Sequence, residues 1–252
     1  MMANCVSSNN SRVVAVVALA IMILELLIAH PYGKVLAMRE SSSSSSLSLS
    51  SLWRGEESFM SRTVGANATE EPVWPSRFTI DFNETTKVPL VSGSTSGRQF
   101  YDFERNAERI DREDGYGDRY CGTVHFHVHT PCTHIAIDGM RYLIFPKLNK
   151  CCSCCSFQSG CGPLSPSWLK NATLVSNERY NDDSVLCWSV KGLQTNIFCQ
   201  YKGERAPLEI KQGSTDDTLY DTLSFDEGQI SADTFDLPGQ CTNKCGGVCR
   251  FL

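Results

Sequence analysis

The chain has 252 residues, 41% of them hydrophobic and 20% charged, with a net charge of −5. That composition is globular rather than disordered, and its acidic balance offers no basic field for nucleic acid or anionic headgroups. Thirteen cysteines are many for this length, so their compartment and pairing govern much of the reading.

Arg12 precedes a 17-residue run, Val13 to Ala29, broken only by Glu25, and small or β-branched residues follow at Val35 to Ala37. This is the pattern of a secretory signal. An acid inside so short a run argues against a retained membrane span. Residues 1–37 are therefore read as a signal peptide. Its removal takes away Cys5 and leaves twelve cysteines, the even set that an oxidised extracellular framework needs. Residues 38–71, with Ser41 to Ser46 unbroken, hold too few bulky side chains to offset the entropy of ordering them and read as a disordered stalk. One disulfide-rich β domain is expected over residues 72–252.

Within it, Phe78, Ile80 and Phe82 alternate with polar residues, as a half-buried strand does. Phe100 to Phe103 leads strand-like into a mixed-charge run, where Glu108 and Arg112 have helical spacing; both states stay open there. Val124, Phe126 and Val128 alternate with His125, His127 and His129, which predicts a further strand. Ile135 to Ile137 and Met140 to Phe145 flank Asp138-Gly139, a strong hairpin signal. Ser165 and Pro166 cap a short helix reaching Ala172. Leu186 to Val190 and Thr195 to Tyr201 form a second hairpin, and shorter runs follow at Leu208 to Ile210, Leu219 to Phe225 and Thr234 to Leu237. The predicted fold is mainly β: a curved antiparallel sheet or half-barrel with one or two short helices.

Cys151, Cys152, Cys154 and Cys155, with Cys161 close behind, contain two overlapping C-x-x-C spacings that a metal could use. Export to an oxidising compartment favours disulfides instead. Adjacent cysteines rarely bridge each other, so each expects a distant partner among Cys121, Cys132, Cys187, Cys199, Cys241, Cys245 and Cys249. On a strand, His125, His127 and His129 would share one face and could chelate zinc or copper, or simply form a polar outer surface. Asp216, Asp217 and Asp221 begin a stretch of seven acids without Lys or Arg between Gln212 and Asn243. That stretch offers hard oxygen ligands for calcium, or a solvated acidic face. Asn67, Asn83 and Asn171 open glycosylation sequons. There is no nucleophile elbow, no protease-like cysteine context and no glycine-rich phosphate loop, and the chain is read as not an enzyme.

From Phe145-Pro146 onwards the order of motifs resembles ependymin-related secreted proteins. The block Cys151 to Cys155, Gly160-Cys161-Gly162, Pro166-Ser167-Trp168, Trp188, Gln194 with Asn196, and Pro207 carry it. Phe235-Asp236-Leu237-Pro238 with Cys241 closes it, and the resemblance runs loosely over residues 74–245. It implies a curved sheet similar to bacterial lipoprotein carriers, lipid-type ligands, glycosylation, calcium sensitivity and homodimers. The doubled cysteine pairs and the serine stalk depart from the family pattern. The leading expectation is a secreted binder of a lipid or other hydrophobic molecule, held by Val124, Phe126, Val128, Tyr142 and Trp188. The alternative is a disulfide-stabilised adhesion or matrix module acting through its surface and glycans. A metal-dependent enzyme using the histidine strand is a third.

Overall fold

The computed structural model describes residues 71–88, 91–175, 180, 182–192, 194–239 and 241–252. The predicted signal peptide with Cys5, the stalk up to residue 70 and the sequon at Asn67 lie outside the described residues.

The strands are β1 (Arg77–Val88), β2 (Val91–Asp102), β3 (Ala107–Arg112), β4 (Cys132–Ile137), β5 (Met140–Phe145) and β6 (Lys150–Ser156), then β7 (Thr173–Val175), β8 (Val185–Lys191), β9 (Thr195–Tyr201), β10 (Pro207–Gln212), β11 (Asp216–Asp226) and β12 (Asn243–Lys244). They form one open, curved, 12-stranded sheet in the order β12-β6-β5-β4-β3-β2-β1-β11-β10-β9-β8-β7. Two meanders, β1 to β6 and β7 to β11, meet where β1 pairs with β11. Every neighbouring pair is antiparallel except β12 with β6, which run parallel.

Residues 157–172 carry the chain from β6 to β7, which lie near opposite ends of the strand order. Ten inter-strand steps at about 4.8 Å would be about 48 Å across a flat sheet. A segment that spends residues on 3-10 turns at Phe157–Ser159 and Pro166–Leu169 cannot stay extended over that distance. The ends of the sheet must curl toward each other.

The period-two pattern of β1 places Phe78, Ile80 and Phe82 on the covered face. There they join Trp74, Tyr101, Leu169, Trp188, Phe198 and Ile210 in an aromatic cluster. On the opposite face the segment after β11 lays Ile230 and Phe235 over Ala107, Phe100 and Ile137, and Arg105 Nη1 and Arg109 Nη1 hold that segment by the carbonyls of Ile230 and Thr234. A third cluster packs Leu143 and Phe145 among cystines.

Several local expectations change. Residues 124–128 are not a strand: Cys121–Val124 is a single helical turn, α1, and His127 takes a left-handed φ of 61°. The Cys121–Cys132 bridge ties both ends of this segment together, so it closes as a loop and finds no ladder partner. Glu108 and Arg112 belong to β3, whose pairing with β2 and β4 overrides their helical spacing. The helix expected after Ser165 is a 3-10 turn whose cap oxygen accepts from Ser167 N, and Thr234 to Leu237 overlaps another 3-10 turn, Ala232–Phe235. Both hairpins form as expected, with Asp138 and Gly139 at φ 52° and 81° between β4 and β5.

All twelve cysteines beyond residue 37 are bridged. Cys151–Cys241, Cys152–Cys245 and Cys154–Cys249 staple the C-terminal segment along β6, and Cys187–Cys199 joins β8 to β9. Cys155 departs from the expected distant pairing. The turn at Phe157–Ser159, ended by Gly160 at φ 84°, brings Cys161 back to it. No helix among the described residues is long and apolar enough to cross a membrane.

Candidate functional site

The five residues expected to line an apolar pocket do not share a surface. Trp188 is 2% exposed and stacks on Phe198 at 6.1 Å between ring centroids. Tyr142 lies in the cross-strand row Ile135, Arg109, Phe100 and Thr79, on the opposite face of the sheet. Val124 packs against the cystine cluster. Phe126 and Val128 are 45% and 39% exposed on the loop after α1. The covered face is filled by Trp74, which meets Phe78, Tyr101, Trp168 and Phe198 edge-on at 5.2–6.1 Å.

Nor do the expected metal ligands converge. His125 sits edge-on to Phe145 at 4.4 Å, where burial and then Lys150 lower its pKa. His127 stacks on Tyr116, and His129 Nδ1 lies 2.6 Å from Asp114 Oδ2. Asp216 is buried against Arg119 at 3.3 Å, Asp217 is its direct neighbour and faces the other side of β11, and Asp221 stands further along the strand in a surface groove. No calcium cage is assembled from these three. Among the described residues, Cys121, Cys132 and His134 bring ligand atoms within 4.8 Å of one another, but the two sulfurs share a disulfide and offer no thiolate.

Sequence reasoning missed a buried charged cluster under the 113–131 loop. Arg112 Nε donates to Glu84 Oε2 at 2.6 Å, and its Nη2 lies 3.5 Å from Asp118 Oδ2. Asp118 Oδ1 accepts from the backbone of Cys121 and Tyr120 at 2.7 and 3.0 Å, and His134 Nε2 is 3.1 Å away. Burial alone would raise Asp118, but Arg112 and His134 outweigh it and hold the carboxyl far below its usual range. Burial raises Glu84 in spite of Arg112. Burial, helped by Arg112, pushes His134 down to about 4 against the pull of Asp118, so the imidazole is neutral at pH 7. Arg141 and Gln99 extend the network through Glu108 at 3.1 and 2.9 Å. Arg112, Asp118 and His134 are buried, and the cluster clamps the loop to the sheet. Only Arg112's charge and the closeness of His134 to the histidine run were visible beforehand, because the partners come from β1, β3, β4 and a loop.

The second feature is a polar groove of about 810 Å³ on the face opposite the aromatic cluster. Consecutive strands β11, β1, β2 and β3 put Asp221, Asp81, Arg98 and Asp111 in register, and Thr133 of β4 continues the row. Arg98 lies 3.3 Å from Asp81 and from Thr79 Oγ1, with its guanidinium 5.7 Å from the centre of the Phe100 ring. Asp111 accepts from Arg109 Nε at 2.9 Å and from Thr133 Oγ1 at 2.6 Å. A neighbouring row holds Asn83 and Ser96, and Ser96 Oγ donates to Glu113 at 2.6 Å. Gly97 is required here, because a Cβ would lie 2.1 Å from the Asp111 carbonyl oxygen and 2.6 Å from the Phe82 ring folded over it. Lys147 stands at the groove from the 3-10 turn Pro146–Leu148. Donors and acceptors of both charges alternate along the groove, with no nucleophile set against a base, which suits recognition of a polar ligand.

No known family model matches the chain, and no curated protein matches it. Among solved structures it is similar to an uncharacterised conserved protein from Thermus thermophilus, with a TM-score of 0.39 and 8% identity over 67% of this chain and 90% of that one. It is also similar to a putative outer membrane lipoprotein-sorting protein domain from Vibrio parahaemolyticus, with a TM-score of 0.32 and 10% identity over 64% and 89%. Likeness at these scores carries neither fold nor ligand across, and the sheet stands on its own strand pairing.

Proposed function

We propose that the protein is an exported, non-catalytic interaction module that works through its polar surface rather than by carrying a lipid inside the sheet. The observation that carries this reading is the filled interior. Phe78, Tyr101 and Phe198 are fully buried, and Trp74, Leu169 and Trp188 close the space beside them. Burying apolar surface is worth about 25 cal/mol per Å². A lipid entering here would displace side chains that already gain that energy, so little net affinity would remain. Six disulfides suit a protein that must persist in an oxidising, unbuffered milieu.

Native mass spectrometry of protein collected from its own secretion tests this. No copurifying lipid is expected, and a stoichiometric lipid that survives purification would overturn the reading. Lipid carriage is the second reading. It is favoured by the aromatic character of the interior, whose cover, Trp74 and Trp168, comes from segments outside the strands. On that reading, changing both to Ala raises lipid uptake; on ours it only destabilises the fold.

A further inference from the structure

We propose that the polar groove is the seat of the protein's own N-linked glycan, attached at Asn83. The proposal rests on export, the premise of the reading above, because the glycan is added only in the secretory pathway.

Asn83 opens an Asn-Glu-Thr sequon, is exposed, and lines the groove from the middle of β1. Two residues earlier Asp81 faces the same side, and Ser96 lies directly across on β2. A glycan leaving Asn83 therefore starts inside the groove, with Arg98 and Lys147 as donors and Asp81, Asp111 and Asp221 as acceptors along its walls. Sugar hydroxyls and acetamides are neutral and supply both donors and acceptors, which is what such alternating walls pair with. The volume of about 810 Å³ falls in the usual range of ligand clefts.

The choice of an attached over a free saccharide comes from what the groove lacks. Phe82, the aromatic residue of its lining, is 4% exposed and folded over Gly97, so no ring face is free to stack on a sugar. Solvated hydrogen bonds alone hold a diffusing sugar weakly. A covalent tether changes that balance, because a short linker supplies an effective concentration of about millimolar.

The test expresses the full chain in a glycosylating eukaryotic host. Glycopeptide mass spectrometry gives occupancy at each sequon, and peptide-N-glycosidase treatment of the folded protein gives release rates. Asn171, exposed in a turn at φ 66° ahead of edge strand β7, serves as the reference. The Asn83 glycan is expected to be released roughly tenfold more slowly than the Asn171 glycan, the factor that one or two net hydrogen bonds supply. Arg98→Ala with Lys147→Ala, both exposed side chains, should bring the Asn83 rate to the Asn171 rate and leave the latter unchanged in a protein that still unfolds cooperatively. An unoccupied Asn83 beside an occupied Asn171, equal native rates, or slow release that the double variant does not relieve would each overturn the seat. Retention of the whole chain in the cytosol with no sequon modified would overturn export, and the seat with it.

Discussion

On the β8, β9 and β10 side of β1, the covered face is filled with rings: Trp74, Phe78, Trp188 and Phe198 pack together, and one disulfide, Cys187–Cys199, crosses the strands. On the β4, β5 and β6 side, the same face carries Leu143 and Phe145 set among cystines, and the space toward β1 holds Glu84, Arg112, Asp118 and His134. Five of the six disulfides fall on this second side. Cystines bury less apolar area than rings, and buried ion pairs return little beyond their desolvation cost. Where the hydrophobic contribution is thin, covalent closure of the unfolded chain takes its place. The staples also cover β6 with β12, protecting an edge that would otherwise offer free backbone groups.

The largest test of this contrast removes all three staples by changing Cys151, Cys152, Cys154, Cys241, Cys245 and Cys249 to Ser. Their sequence separations are 90, 93 and 95 residues, and closing a loop of about 100 residues is worth about 4.7 kcal/mol. Removing one staple should cost far less, since the other two still hold the same ends together. Denaturant unfolding of the single and triple variants checks this, and a single-staple loss equal to the triple loss would break the account. Cys187→Ser with Cys199→Ser, closing a short loop, should cost roughly 3 kcal/mol.

Next in size is Arg112→Met, which leaves Glu84 and Asp118 buried without their shared cation. The expected loss is about 3–5 kcal/mol in urea unfolding, with partial recovery when Glu84→Gln is added. No recovery would mean that the guanidinium acts by packing alone, as over the Phe82 ring.

The third test is pH. His134 has a folded value of about 4 against 6.5 for the free side chain. Below pH 6.5 the unfolded chain takes up a proton that the folded one refuses, so stability is full above 6.5 and falls as pH drops toward 4. The loss amounts to about 3 kcal/mol. Asp118, depressed, adds a loss at still lower pH, whereas Glu84, raised, favours the folded state below its unfolded value and gives that up as pH rises. Thermal midpoints between pH 7 and 4, compared with His134→Asn, measure the histidine's share; the same slope in both proteins would exclude it. The smallest effect is Arg98→Ala. Both partners of its pair with Asp81 are 45% exposed, so the midpoint should move by less than about 1 kcal/mol equivalent.

The strand character of Phe78 to Phe82, the Asp138-Gly139 hairpin and the full pairing of an even cysteine set were all legible in the sequence. Each is a local or parity signal: alternation exposes one face of a pleat, a two-residue turn needs positive φ, and an oxidising compartment leaves few thiols. The tertiary structure alone decided that the histidine alternation would become a loop, because the Cys121–Cys132 closure and the Asp118 hydrogen bonds outweigh a pattern with no neighbouring strand. It alone joined β1 to β11, and so set Asp81 beside Asp221 and aligned the groove. Likewise, the chain text holds Glu84, Arg112, Asp118 and His134 as ordinary polar residues on separate segments. Their burial and shifted ionisation follow from what covers them, and that depends on register between strands far apart in the chain.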